Sequence, residues 1–323
     1  MRINGVCAGL ATLAWGRTAN EMETRLTRMP GRNKVSFPAS LDCATAFQKI
    51  AWGCVTGIKA HHSGARAADA EAVHQIRVAI TRLRAAVAFF GPIVVDAEWL
   101  RLKKEIAWLN ISLGAARDSD VSMEYARRKR YQAWAECEIG DDLDRRRVQD
   151  HHRLLRCLRS SRFQRLIVAM ADWVDGGPWL ARWERRVRRT GARSLDGYCK
   201  RELNRWRERL IRKGRHLENL AASRRHRLRI RGKRFRYMLE ALTETVGVRG
   251  RGELRHVHGP AKRLQRALGD LRDLTRFAGL ARASQAENGK RRKKPPPGYR
   301  RQKQKLMDDA IKAYRDLKQA GVC

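Results

Sequence analysis

The chain has 323 residues, of which 71 are Lys or Arg and 33 are Asp or Glu, so its formal net charge is +38. Its 43% apolar residues and nine Trp are enough for a buried core, which excludes a chain that is disordered throughout. Such an excess of positive charge indicates a polyanionic partner, of which nucleic acid, an anionic membrane surface and polyphosphate are the candidates. The seven scattered cysteines contain no Cys-x-x-Cys pair and are typical of reduced thiols in a cytoplasmic protein.

Helical periodicity runs through nearly the whole chain, and no stretch alternates in the manner of a strand. Helix formers dominate, so the predicted fold class is all-α. No run reaches the roughly 18 apolar residues that a membrane span requires. The predicted helices, in chain order, lie at about 40–60, 70–90, 96–113, 118–138, 141–158, 161–175, 178–190, 194–220, 223–246, 252–268, 271–284 and 300–319.

Three segments without helical periodicity divide the chain. Residues 1–37 are predicted to be a poorly ordered extension, which is either a weak targeting segment or an extended gene start. The sequence from Asp172 to Pro178 ends one helix and begins another, which divides the helical region 38–320 into halves at about 38–175 and 178–320. Residues 284–300 combine the basic run Lys290–Lys294 with three prolines and are predicted to form a charged loop.

One helical unit occurs twice. The pattern His-x-x-Arg-x-x-x-x-Arg-x-Arg begins at His74 and again at His226, an offset of 226 − 74 = 152 residues. Downstream, the segment 113–118 (Leu-Gly-Ala-Ala-Arg-Asp) matches 268–273 (Leu-Gly-Asp-Leu-Arg-Asp) at an offset of 268 − 113 = 155. The two halves of the chain are therefore predicted to be related to each other.

Each repeat predicts a row of cations along one helix. Spacings of three, four and three residues place side chains on one face of a helix, here beside an apolar face. The two rows are His74, Arg77, Thr81 and Arg84, and His226, Arg229, Lys233 and Arg236. Neither row carries a neutralising acid at i+4, so neighbouring cations repel each other until an anion binds. The guanidinium fork suits phosphate oxygens, although a solvated helix face would give the same pattern.

Other charged residues are assigned by the same repeat. Lys103 and Lys104 follow the first row, and Lys262 and Arg266 follow the second, so these four are predicted to support anion binding. Arg82 and Arg234 point away from the rows and are expected to be solvated or paired with carboxylates. Two further pairs are predicted to be structural, with each carboxylate orienting arginines nearby: Arg117 with Asp118, and Arg272 with Asp273.

Together, these repeated segments resemble the CHAD family, the conserved histidine α-helical domains associated with polyphosphate binding. The resemblance covers about residues 38–320. It implies two pseudo-symmetric four-helix bundles whose basic helices line a central channel for a polyphosphate chain, and it implies association with polyphosphate granules. Thr81 stands where the family commonly has a second basic residue, so the first row is expected to hold the chain less tightly.

Catalysis is not expected, because the sequence has neither a phosphate-cradling Gly-rich loop nor a cluster of acidic metal ligands. We accordingly predict no metal and no cofactor. Nucleic-acid binding is the alternative function, since phosphodiester backbones respond to the same field, but no familiar DNA- or RNA-binding signature accompanies the basic rows. If the protein is instead a scaffold at polyphosphate bodies, the run Lys290–Lys294 is a tether, or a nuclear-import signal in a cell with a nucleus.

Overall fold

The computed structural model describes residues 41–190, 195–245, 248–287 and 295–320. The predicted extension 1–37 and the basic run Lys290–Lys294 lie outside these ranges. No described residue lies in a strand, which confirms the all-α prediction. None of the helices formed by the described residues combines the length and the apolar character needed to cross a bilayer.

The described residues form twelve α-helices and one short 3-10 turn at Leu217–Asn219. The α-helices are α1 (Cys43–Ala60), α2 (His62–Arg66), α3 (Ala70–Phe89), α4 (Gly91–Val94), α5 (Ala97–Ala126), α6 (Gln132–Arg159), α7 (Ser161–Gly176), α8 (Pro178–Thr190), α9 (Leu195–Lys213), α10 (Ala222–Thr245), α11 (Val248–Glu287) and α12 (Tyr299–Gln319).

Helix starts follow local capping chemistry. The carboxylates of Asp42, Asp69 and Asp96 each accept a hydrogen bond from a backbone N–H of the first helical turn, at 2.7, 3.0 and 2.7 Å. The Ser160 hydroxyl does the same for α7 at 3.2 Å. These residue types satisfy N–H groups that have no partner inside the helix, which fixes where α1, α3, α5 and α7 begin.

Two long helices were each predicted as a pair of shorter ones, and this part of the prediction was wrong. Helix α5 continues through Gly114, where helices at 96–113 and 118–138 were expected, and α11 continues through Gly269. A glycine inside a helix costs only about 1 kcal/mol, which tertiary packing outweighs. At Gly114 the missing Cβ also has a use, because a Cβ there would lie 3.2 Å from Arg77 Nη1.

Four helices of the first half, α1, α3, α5 and α7, pack in a closed ring, in which α1 contacts α3, α3 contacts α5, α5 contacts α7 and α7 contacts α1. Its core is aromatic. Phe47 on α1 is fully buried and meets the rings of Phe90, Trp173 and Trp179 edge-on, with centroids at 6.0, 5.6 and 5.2 Å. These edge-to-face contacts hold α1 against α7 and α8.

A second ring is formed by α9, α10, α11 and α12 in the same order of contacts. The same order is what the internal repeat predicts, and the pseudo-symmetry itself stays a prediction. Between the rings, α3 packs on α10, and α11 packs on both α5 and α6. A cluster containing Tyr125, Tyr131 and Phe277 fills the contact of α5 and α6 with α11. Both basic rows and both Arg-Asp pairs are therefore carried by helices at the junction of the rings.

Candidate functional site

Three cations meet at the contact between α3 and α10, and we call Arg77, Arg229 and Lys233 the central cations. Their residues are partly buried. None of the three side chains forms a hydrogen bond or an ion pair with any described residue, and the Arg229 Nε is buried without a hydrogen-bond partner. Since buried charges are normally paired, this group is incomplete as an internal structure.

Like charges surround Lys233. Burial lowers the pKa of its ammonium group from 10.5 to about 7, and the positive charges of Arg77, Arg229, Arg236 and Arg272 add to the effect. The Lys233 Nζ also lies 5.4 Å from the centre of the Tyr237 ring. Near pH 7 a large fraction of the Lys233 side chains is therefore uncharged, whereas a lysine with the ordinary pKa of 10.5 is almost fully charged.

The two arginines of the central group have the same surroundings. Burial lowers the pKa of Arg77; the negative charge of Asp118 opposes this, while Arg272, Arg117 and Arg229 add to it. Burial likewise lowers the pKa of Arg229; the charge of Arg272 adds to this, and the charges of Asp273 and Asp118 oppose it. Arginine keeps its proton at any physiological pH, so both guanidinium groups stay charged while partly buried, and a bound anion would offset the cost of their burial and of their mutual repulsion.

Asp118 connects the halves of the chain. Its Oδ2 contacts the Arg276 guanidinium and lies 3.8 Å from Arg272 Nη2, so α5 is tied to α11. Arg272 also lies 3.5 Å from Asp273, whose pKa is raised by burial against the opposing arginines. Asp118 therefore pairs with Arg272 of the second repeat and not with its sequence neighbour Arg117, which the spacing of the motif did not reveal. Arg276 was missed because its only sequence signal is its position one turn after Arg272.

The remaining Arg-Asp member, Arg117, lies at the edge of the group. It forms an ion pair with Glu124 at 2.9 Å, yet its charge still lowers the pKa of His74, after burial, which is the larger cause. His226 is exposed, and burial and the charge of Arg229 lower its pKa as well. Both imidazoles are thus more often neutral than a free histidine, and an anion would favour their protonation.

An acid at i+4 does neutralise the last member of the second row, Arg236, contrary to the prediction. Glu240 accepts a hydrogen bond from Arg236 Nη1 at 2.7 Å and lies 3.6 Å from Arg82 Nη2 and 3.2 Å from His258 Nε2. The guanidinium carbons of Arg82 and Arg236 lie 5.5 and 4.5 Å from the centre of the Tyr237 ring. We call Arg82, Arg236, Tyr237 and Glu240 the Glu240 cluster.

A further arginine group lies where the first row ends, and we call Arg84, Arg231 and Arg234 the Arg84 cluster. Burial lowers the pKa of Arg234, and the charges of Arg84 and Arg231 lower it further. None of the three side chains has a hydrogen bond or an ion pair with the residues described. Arg84 was predicted beside Arg77 and lies on the same helix face, but its nearby charges come from α10.

The chain was compared with known families and structures. The model of the CHAD domain matches residues 49–282, more than half of the chain. The chain belongs to the CHAD domain family. Similar solved structures include the crystal structure of the CHAD domain from the plant Ricinus communis, at 21% identity and a TM-score of 0.65 over 87% of this chain and 94% of that one. PptA from Streptomyces chartreusis is 18% identical, with a TM-score of 0.58 over 87% of this chain and 99% of the other.

At these identities the two structures establish the fold of this CHAD domain, which is that of a polyphosphate-related family. A comparison with curated protein sequences gave no significant match.

Four predicted supporting cations of this CHAD domain, Lys103, Lys104, Lys262 and Arg266, are exposed. Lys103 precedes Arg117 on α5 by 14 residues, which is about 20 Å of helix, and Lys262 precedes Arg272 by about 15 Å. The fold therefore places the lysines away from the central cations, along helices that lead to them. Their part in binding stays a prediction.

Proposed function

We propose that this CHAD domain binds inorganic polyphosphate, with phosphate oxygens seated on the central cations. The observation that carries the proposal is the convergence of Arg77, Arg229 and Lys233 from two helices with no hydrogen bond or ion pair to an acid among the described residues. The nearby carboxylates of Asp118 and Asp273 are paired with Arg272 and Arg276 instead. A phosphate oxygen would offset the repulsion among them, and each charge-assisted hydrogen bond contributes about 1.5–3 kcal/mol. His74 and His226 border the same group and could donate to the chain when protonated.

Polyphosphate fits this site better than nucleic acid does. Single-stranded nucleic acids are commonly held by aromatic rings on which bases stack. The aromatic residues closest to the basic rows, Phe235 and Tyr237, are only 1% and 3% exposed. The face of Tyr237 is further occupied by neighbouring cations. Polyphosphate, which offers phosphate oxygens and no bases, needs only the cations that this site provides.

We further propose that the domain binds without chemistry and acts as a receptor that brings its host protein to polyphosphate granules in the cytoplasm. The carboxylates closest to the central cations, Asp118 and Asp273, are held by arginines. An acid engaged in this way is poorly placed to take up the divalent metal that phosphoryl transfer uses. These acids instead orient Arg272 and Arg276 and temper the positive field.

Thermal unfolding with added ligand tests the proposal. The parent and Arg77→Ala/Arg229→Ala are compared at fixed ionic strength with long-chain polyphosphate, orthophosphate, and RNA matched in total phosphate. The matched control is Arg209→Ala/Arg212→Ala, which removes two exposed charges from α9. A ligand at 100 times its dissociation constant stabilises the folded state by about 2.7 kcal/mol.

We expect polyphosphate to stabilise the parent and the control strongly, and the Arg77→Ala/Arg229→Ala protein far less. Without ligand, that variant should be at least as stable as the parent, because it removes buried repulsion. Equal or greater stabilisation by RNA would contradict the proposal and favour a nucleic-acid-binding protein. An equal loss of stabilisation in the control would show that binding depends on net charge and not on the central cations.

A further inference from the structure

The two repeated rows end differently, although their sequences correspond. On α10, Arg236 lies seven residues, about 10 Å, beyond Arg229, and on α3 Arg84 lies the same distance beyond Arg77. At the offset of 152, Glu240 corresponds to Ala88 because 240 − 152 = 88, and Tyr237 corresponds to Ala85 because 237 − 152 = 85. The carboxylate of Glu240 and the ring of Tyr237, which contact the cations at the end of the second row, are thus both replaced by alanine at the end of the first row.

Glu240 occupies the position that an anionic ligand would take. Its carboxylate faces one arginine from each basic helix, at 2.7 Å from Arg236 Nη1 and 3.6 Å from Arg82 Nη2. Three atoms of this cluster are nevertheless buried without a hydrogen-bond partner: Arg82 Nε, Arg236 Nε and Glu240 Oε2. The pairing is thus incomplete: the carboxylate accepts a hydrogen bond from Arg236 Nη1 and leaves both Nε donors without a partner. Its negative charge repels a second anion.

The Arg84 cluster has the opposite character. Arg84 and Arg234 come from different helices and are partly buried, and Arg231, one turn before Arg234 on α10, is exposed. Along the helix axes, Arg84 lies about 10 Å beyond Arg77 on α3 and Arg234 about 7.5 Å beyond Arg229 on α10, so the cluster follows the central cations on both helices. Ala88, one turn after Arg84, is exposed and offers no charge. These three guanidinium groups have no hydrogen bond or ion pair with the described residues, so they are available to bind phosphate oxygens.

We propose that Arg84, Arg231 and Arg234 form a second phosphate subsite, and that Glu240 is a built-in competitor that keeps phosphate from Arg82 and Arg236. A bound polyphosphate chain then extends from the central cations towards the Arg84 cluster and stops short of the Glu240 cluster. The inference rests on the proposed function, since it concerns the path of the same ligand. Phosphate would then bind beyond the central cations on one side only, although the two basic rows are repeats of each other.

Reciprocal charge changes test this path. Ala88→Glu places a carboxylate one helical turn after Arg84, as Glu240 stands after Arg236, and Ala88→Gln is its uncharged control. Glu240→Gln removes the competing charge and keeps the shape. The affinity for a long-chain polyphosphate is measured by calorimetric titration at several salt concentrations, because the salt dependence reports the number of ionic contacts. Circular dichroism and thermal unfolding verify that each variant is folded.

We expect Ala88→Glu to weaken binding about tenfold and to make the salt dependence shallower, as the loss of a charge-assisted contact does. Ala88→Gln should bind like the parent, and Glu240→Gln should bind more tightly with a steeper salt dependence. Arg231→Ala/Arg234→Ala should reproduce the loss seen in Ala88→Glu.

Equal affinities of Ala88→Glu and Ala88→Gln for polyphosphate would refute the second subsite. Because Ala88 is exposed, neither substitution should disturb the packing of the core. Unchanged or weaker binding by Glu240→Gln would refute the proposal that Glu240 competes with phosphate, and would indicate that Glu240 only supports the structure. Either result leaves the proposed function standing if Arg77→Ala/Arg229→Ala still loses affinity. A parent protein that binds no polyphosphate would refute both proposals.

Discussion

Binding of polyphosphate should be accompanied by proton uptake at Lys233. In the free protein burial and neighbouring arginines bring the pKa of this ammonium group to about 7. A bound polyanion reverses the charge balance and moves the pKa back towards its ordinary value of 10.5. At pH 8 a group with a pKa of about 7 is protonated in only about one-tenth of the molecules, so each binding event takes up about 0.9 proton. At pH 6 the uptake falls to about 0.1 proton.

Calorimetric titration measures this uptake directly. The apparent binding enthalpy at pH 8 is determined in two buffers that differ in ionisation enthalpy, and the slope gives the number of protons. The control is Lys233→Arg, which keeps the charge and cannot release it near neutral pH. Since the end groups of polyphosphate also titrate, the difference between the two proteins isolates the lysine. Equal uptake by the parent and Lys233→Arg would refute the reasoning.

The same shift fixes the sign of a stability effect without ligand. Between about pH 7 and 10.5 the folded protein holds fewer protons at Lys233 than the unfolded chain does. The free energy of unfolding should therefore rise with pH in this window, by at most about 1.4 kcal/mol per pH unit. Affinity for polyphosphate should change in the opposite direction and weaken as the pH rises above 7.

Four further substitutions have defined outcomes. Gly114→Ala should weaken polyphosphate binding several-fold, because the new Cβ would lie 3.2 Å from Arg77 Nη1; Gly53→Ala, which meets nothing within 4 Å, should instead raise stability by up to about 1 kcal/mol in thermal unfolding. Phe47→Ala should cost about 3–5 kcal/mol in denaturant unfolding, as large cavities in cores do. Asp120→Asn breaks a buried pair with His151 at 2.9 Å and should cost about 3–5 kcal/mol at pH 7. Burial alone would raise the pKa of Asp120, but its hydrogen bonds to His151 and Arg147 lower it. The parent should lose its greater stability over Asp120→Asn as the pH falls below 3.8. A difference in unfolding free energy that does not change with pH would contradict this account.

The sequence predicted the features that depend on spacing along one helix. Because His-x-x-Arg places both side chains on one face, the rows containing Arg77 and Arg229 could be assigned before the fold was known. The all-α class followed from helical periodicity along the chain, and the resemblance to the CHAD family followed from the repeated segments. The packing of α3 on α10 brings the two rows together, and a channel for polyphosphate between them stays a prediction.

Features that depend on how helices cross were not predictable in this way. The pairing of Asp118 with Arg276, 158 residues later (276 − 118), is a contact between rings. Glu240 was visible in the sequence at i+4 from Arg236, but its reach to Arg82 depends on the geometry of a second helix. The close approach of Arg77 to Gly114 likewise depends on a tertiary contact, because a Cβ at this position of α5 would lie 3.2 Å from Arg77 Nη1.

The bond from Asp118 to the arginines of α11 has a consequence for the chain as a whole. This acid belongs to one half, and Arg272 and Arg276 belong to the other, so the charges balance only in the assembled molecule. A fragment that ends near Gly177 would keep Arg77 and Asp118 and lose the groups they face. Two halves produced separately should accordingly recombine more completely when long-chain polyphosphate is present. The ligand would then act as a clamp between two parts of a single polypeptide.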